Sequence, residues 1–238
     1  MPVRALLVMS LASAAWAQIP PVNSPPPPPQ SGATIVFDGA ALPKDWKFFN
    51  QVEDHWTMQP KQKSLLIETQ RAPCVSAETG KNFLVYDRPL PADDFEVVVR
   101  ASADFQAIGN QIGAALWSDD KNYFWVTFES DYAYGSLQRR SYFQKVSQGQ
   151  VAGSFARDIG PSKEIYWRIV RDGNQYSGFF AAVDPANTFD PAKIPWVQLG
   201  TLPGIRFTGK LALCAINYAD GAPELGAEFY SVTIRPIK

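Results

Sequence analysis

Glu129 and Asp131 stand two residues apart in Phe128-Glu129-Ser130-Asp131-Tyr132, a run with the composition of a β-strand. Alternation along a strand sends both carboxyls to one side. Their separation then approaches that of a carboxyl pair acting on a glycosidic bond. A solvated pair of carboxylates at a strand end fits the same spacing. Upstream, Gln111, Gly113, Ala115 and Trp117 share one face of a strand, and Tyr123, Trp125, Thr127 and Glu129 share a face of the next. Small residues opposite aromatic rings would leave a shallow trough on a concave sheet. There, rings stack on the C–H faces of a sugar while Gln111 and Glu129 hydrogen-bond its hydroxyls. Arg139, Arg140 and Tyr142 follow and are placed to line the rim. Trp117, Tyr123 and Trp125 would equally suit a sandwich core. Gln111 and Glu129 favour the open face, because a buried, unpaired carboxylate is costly.

Other chemistries are removed by arithmetic. His55 is the single histidine, so a multi-histidine zinc site cannot form within one chain. A Ser-His-Asp triad would have to use His55, and no nucleophile-elbow sequence accompanies it. There is no P-loop and no dinucleotide glycine motif. The formal net charge of −1 leaves no basic excess for nucleic acid or for anionic lipid. Glu68, Glu96 and Glu228 are further strand carboxylates without an evident partner. Trp167, Ile169 and Arg171, opposite Tyr176, Gly178 and Phe180, form a second face that reads as core, with Arg171 at the surface or in an ion pair.

The elements that must position these residues are strands. From Ile35 onward short runs rich in Val, Ile, Phe, Tyr and Trp alternate apolar with polar, among them FEVVVRAS, QIGAALWS, YFWVTFES, YWRIVRDG, QYSGFFAAV and KLALCAIN. Turn signals separate them, such as Asp38-Gly39, Ser118-Asp119-Asp120-Lys121-Asn122, Asp172-Gly173-Asn174 and Asp220-Gly221. No stretch of the mature domain keeps a helical period. Many short strands with regular turns predict an all-β sandwich or barrel. Two hairpins are readable: one around the five-residue loop Ser118–Asn122, one around Asp172-Gly173-Asn174. The connection from Asp184 to Pro195 carries three prolines and reads as a surface insertion.

Ahead of the domain, residues 1–17 read as a signal peptide: Arg4 supplies a charge, Ala5 to Ala14 is a short apolar run, and Ala15-Trp16-Ala17 is a small-x-small cleavage site. Residues 18–34 form a proline-rich tether, with Pro25 to Pro29 favouring extended polyproline II. Residues 35–238 are the folded domain. The chain is expected to be exported, periplasmic or extracellular, with no transmembrane segment. Cys74 and Cys214 would either pair in an oxidising compartment or stand as two separate buried thiols.

Gln111-Ile112-Gly113-Ala114-Ala115-Leu116-Trp117 followed by Asp119-Asp120-Lys121-Asn122-Tyr123 resembles the concanavalin A-like β-sandwich, the two-sheet antiparallel jelly roll of lectins and glucanases. So does Trp167 to Asn174 followed by Trp196-Val197-Gln198-Leu199-Gly200. The resemblance is greatest to sandwich domains of secreted bacterial proteins and those appended to xylosidase/arabinofuranosidase-type glycosidases. The opening, FDG…DWKFFN…HWTM…SLLIE, is similar to the start of 3-keto-disaccharide hydrolase-like sandwiches. The proline-rich insertion before Trp196 departs from the family pattern. The resemblance implies carbohydrate as partner. It also implies a structural Ca²⁺ between first and last strands, for which Asp38 and Glu228 are the residues to name. It leaves three functions open: a lectin-like domain using Gln111, Trp117, Tyr123, Trp125, Glu129 and Arg139; a glycoside-cleaving enzyme using Glu129 and Asp131; or a non-catalytic envelope interaction protein.

Overall fold

A computed structural model describes residues 32–133, 136–183, 193–204 and 209–237. The signal peptide, most of the tether and most of the proline-rich insertion lie outside the described residues. In chain order the strands are β1 (Ala33–Val36), β2 (Trp46–Phe49), β3 (Trp56–Gln59), β4 (Ser64–Glu68), β5 (Gln70–Arg71) and β6 (Phe83–Tyr86). Then come β7 (Phe95–Ala103), β8 (Asn110–Asp119), β9 (Asn122–Ala133), β10 (Ser136–Ser147) and β11 (Gln150–Asp158). The last five are β12 (Glu164–Asp172), β13 (Gln175–Val183), β14 (Val197–Pro203), β15 (Lys210–Asn217) and β16 (Gly226–Pro236). A 3₁₀ turn, Glu53–His55, precedes β3.

These strands form two sheets. The first runs β14-β13-β12-β7-β16-β4-β3, with β1 also on β16. The second runs β11-β10-β9-β8-β15-β6-β2, with β5 also on β15. Pairing is antiparallel except for the short β5–β15 contact, where Gln70 and Arg71 lie parallel to Ile216 and Asn217. The expected all-β, two-sheet sandwich is what the chain builds.

Period-two alternation explains the core. Val97, Val99 and Ala101 of β7 and Ile165, Trp167 and Ile169 of β12 point inward from the first sheet. Ile112, Ala114 and Leu116 of β8, Phe124, Val126 and Phe128 of β9, and Leu211, Leu213 and Ala215 of β15 meet them from the second. Phe124 stacks on Tyr176 across the layers, with ring centroids 4.1 Å apart. The buried Trp167 indole donates from Nε1 to Ser141 Oγ at 3.2 Å, so its polar atom is not stranded. Gly178 is dictated by closeness: a Cβ there would sit 2.4 Å from Cγ of Phe143.

Three expectations need correction. The hairpin loops are tighter than read: β8 runs to Asp119 and β9 starts at Asn122, leaving two residues between them. β12 and β13 likewise leave only Gly173 and Asn174, with Gly173 at φ 57, a left-handed turn position that suits glycine. Arg171 is not at the surface. It is 1% exposed, with its guanidinium over the Phe95 ring at 5.7 Å and Nε donating to Gly173 O at 3.4 Å.

A second apolar cluster lies outside the core, on the outer face of the second sheet. Phe83, Val85, Ala115, Trp125, Ala212, Cys214 and Ile216 pack there against Cys74 and Val75. Cys74 is bonded to Cys214, so the open choice between disulfide and free thiols resolves to the disulfide. It staples the segment after β5 onto the sheet. Asp120 holds the same segment from the other side. Its carboxylate accepts from Ala77 N and Ser76 Oγ, each at 2.8 Å, from Glu78 N at 3.2 Å and from Trp117 Nε1 at 3.2 Å.

Candidate functional site on the outer face of the second sheet

Strand register places the predicted residues in rows. Across β8, β9, β10 and β11, Gln111 faces Glu129, Glu129 faces Arg140, and Arg140 faces Asp158. The next row is Gly113, Thr127, Tyr142 and Ala156, and the one beyond it is Ala115, Trp125, Gln144 and Ser154. On the other side, Asp131 faces Gln138. Since Ile112, Ala114, Phe124, Val126 and Phe128 fill the intersheet core, these alternating partners all lie on the outer face.

Glu129 is the centre of this surface. It is 9% exposed and accepts a hydrogen bond from Gln111 Nε2. Burial pushes its carboxyl up to about 7, and the Asp131 charge adds to the rise. The hydrogen bonds from Gln111 and Tyr142 and the Arg140 charge oppose it without cancelling it. Glu129 therefore holds its proton to higher pH than an ordinary carboxyl does.

Asp131 is engaged from two sides. Tyr142 Oη donates to Asp131 Oδ2 at 3.0 Å, and Arg140 Nη1 reaches the same oxygen at 3.4 Å. Arg140 Nη1 also donates to Tyr142 Oη at 2.9 Å, while its Nε pairs with Asp158 Oδ1 at 3.0 Å. Burial and then the Glu129 charge hold the Tyr142 phenol well above its usual range. Tyr218, at the end of β15, donates from Oη to Ser130 O at 3.3 Å. Its phenol is pushed up to about 12 by burial, then by Glu129 and Asp131. Thr127 forms the floor; its fully buried hydroxyl has no hydrogen-bond partner among the described residues.

No protein-family model and no curated protein matches the sequence. Solved structures do. The GH43 protein BlXynB of Bacillus licheniformis superposes with a TM-score of 0.68 at 16% identity, over 86% of this chain and 39% of that one. GH43B of a Bacteroides ovatus xyloglucan PUL gives 0.66 at 17%, again over 86% and 39%. The β-glucanase of Bacillus licheniformis gives 0.58 at 11% identity, over 87% of this chain and 99% of that one. The fold is a concanavalin A-like sandwich. At these identities the likeness is one of architecture, and the chain spans well under half the length of the two GH43 proteins.

Within the concanavalin A-like sandwich, the predicted site residues divide. Gln111, Glu129 and Asp131 come together as described. Trp117, Tyr123 and Trp125 are on the outer face but are committed to packing. Trp117 meets Phe83 and Phe49 edge-on at 5.4 and 6.1 Å. Trp125 meets Tyr123 at 5.8 Å and donates from Nε1 to Gln144 Oε1 at 2.9 Å. They are thus neither intersheet core nor an open platform, because the stapled segment supplies a cover that alternation alone does not foretell. Arg139 is a correction. It points to the opposite side of β10 from Arg140, where Nη2 binds Asp104 Oδ1 at 3.0 Å and Phe105 O at 3.1 Å. The rim arginine is Arg140.

Two residues of this face that strand alternation in the sequence did not single out are Tyr218 and Asp158. Tyr218 joins through the alternation of β15, in step with Cys214 and Ile216. Asp38 is exposed just after β1, and Glu228 lies on β16 beside Tyr230. The metal-capable group that the described residues bring together is a different one, His55, Glu68 and Glu224.

Proposed function

We propose that the outer face around Glu129 binds a carbohydrate. The observation that carries this reading is the convergence of Gln111, Glu129, Asp131, Arg140 and Tyr142 on a face the intersheet core does not use. Stability of the sandwich does not require polar groups to be ordered against one another there. Recognition of sugar hydroxyls does, since it needs fixed donors and acceptors beside a ring. Tyr142 supplies the ring and Gln111 and Glu129 the reversible hydrogen-bonding pair. The likeness in fold to glycoside hydrolases supports a glycan as ligand. Affinity electrophoresis through xylan, xyloglucan and β-1,3-1,4-glucan tests the reading: retardation in at least one gel supports it, and unretarded migration in all three counts against it.

A second reading, cleavage of a glycosidic bond at the same face, is favoured by one observation: Glu129 and Asp131 project from one face of β9, and burial with the Asp131 charge raises the Glu129 carboxyl. Release of reducing ends from the same polysaccharides, abolished in Glu129→Gln, separates cleavage from binding. The Cys74–Cys214 bond fits an oxidising compartment and, with the leader-like N-terminus, supports export.

A further inference from the structure

His55 is the only histidine of the sequence, and a single imidazole cannot make a multi-histidine centre. Its surroundings give it another use. Backbone pairing brings three chain segments to one spot at the end of the first sheet. Trp56 pairs with Ile67, which sets the preceding His55 beside Glu68 at the mouth of the β3–β4 hairpin. Glu68 pairs in turn with Gly226 of β16. Thr69 N donates to Leu225 O at 2.8 Å, and Leu225 N donates to Thr69 Oγ1 at 2.9 Å. Those two bonds fix Leu225 and hence the approach of Glu224.

One ligand-capable atom from each of His55, Glu68 and Glu224 falls within 4.8 Å of the others. His55 Nε2 lies 3.3 Å from Glu224 Oε2. The two form an ion pair when the imidazole is protonated, and the same spacing matches the edge of a tetrahedron with metal–ligand bonds of about 2.0–2.2 Å. Two further observations point to a cation. Glu68 is half-buried, and its carboxylate has no hydrogen bond or ion pair to any described residue. His55 Nδ1 is hydrogen-bonded to Asp54 Oδ1 at 2.8 Å, the carboxylate–histidine arrangement that fixes the ring and frees Nε2 for a metal.

We propose that His55, Glu68 and Glu224 form a binding site for one divalent transition cation, best matched by Zn²⁺, with Asp54 orienting the imidazole. The nitrogen ligand separates this site from a calcium site, which takes oxygen ligands only. A cation there ties the edge hairpin β3–β4 to the segment that enters β16, so its role is structural.

The test uses the full chain. Co²⁺ titration, read as visible d–d absorption with Zn²⁺ displacement, is expected to show one ion per chain. Binding is expected to weaken at least tenfold in His55→Gln and in Glu68→Gln, and about tenfold in Asp54→Asn. Glu228→Gln is expected to leave it unchanged. Because His55 is the only histidine, carbethoxylation of the wild-type chain gives a reading that no variant's folding can obscure: Zn²⁺ should slow modification at least tenfold. Absence of Co²⁺ absorption, equal binding in His55→Gln, or no protection by Zn²⁺ would each overturn the proposal.

Discussion

Gln111 donates a hydrogen bond to Glu129 across the β8–β9 pair, on the side of the sheet that looks away from the intersheet core. The pair is buried, and Glu129 titrates near 7 as a result. A polar pair with this property on an outer face is what ties the candidate site to measurable behaviour.

The first consequence is a pH dependence of stability. The folded protein holds the Glu129 proton to higher pH than the unfolded chain does. The associated stability is therefore complete below the ordinary carboxylate range and is lost as pH rises from there through about 7. The loss is of order 3 kcal/mol when complete. Thermal melts from pH 5 to 8.5 should show the wild type falling and Glu129→Gln falling much less. Parallel curves would mean that Glu129 is not the group responsible.

Asp120 works in the opposite sense. Burial raises its carboxyl, but the hydrogen bonds from Ala77 N, Ser76, Glu78 N and Trp117 outweigh burial, and the net direction is down. Its contribution is present above the ordinary carboxylate range and is lost as pH falls from there through its lowered folded value. Asp120→Ala should cost about 2–3 kcal/mol in urea unfolding. It should also speed amide exchange at Ala77 and Glu78 without affecting β12 or β13. Uniform acceleration throughout the chain would contradict a local anchoring role.

The Cys74–Cys214 bond spans a sequence separation of 140. Long closed loops restrict the unfolded chain strongly, so Cys74→Ala with Cys214→Ala should lower stability by about 4 kcal/mol. Urea melts with and without reductant check this. The double variant should be insensitive to reductant, while the wild type falls to its level.

The fold was legible because alternation is a local property. Ile112, Ala114 and Leu116 against Gln111, Gly113 and Ala115 suffices to tell two faces apart, and the same pattern in β9 pairs Gln111 with Glu129. What a residue meets on the far side of its face is not local. For Trp117 and Trp125 alternation leaves both the outer face and the core open, and on the outer face, where they lie, they pack with a segment from before β6 that includes Cys74 and Val75. Asp120, a plain turn residue by sequence, holds that segment only because Ala77 and Ser76 come to it from 43 and 44 positions away. Arg139 and Arg140 show the same limit. One of two adjacent residues must face outward, and only the register of β10 on β9 says which. Arg171 is buried because Phe95, on a neighbouring strand, lies under its guanidinium, a contact invisible in the run Arg168-Ile169-Val170-Arg171.

The central claim, that the surface around Glu129 takes a carbohydrate, is tested most directly by affinity electrophoresis of four proteins through polysaccharide gels: wild type, Tyr142→Ala, Gln111→Ala and, as a control on the opposite sheet, Ser177→Ala. The account predicts retardation of the wild type and of Ser177→Ala by at least one of xylan, xyloglucan or β-1,3-1,4-glucan, with retardation reduced at least fivefold in Tyr142→Ala and Gln111→Ala. Equal retardation of all four, or of none, would contradict it.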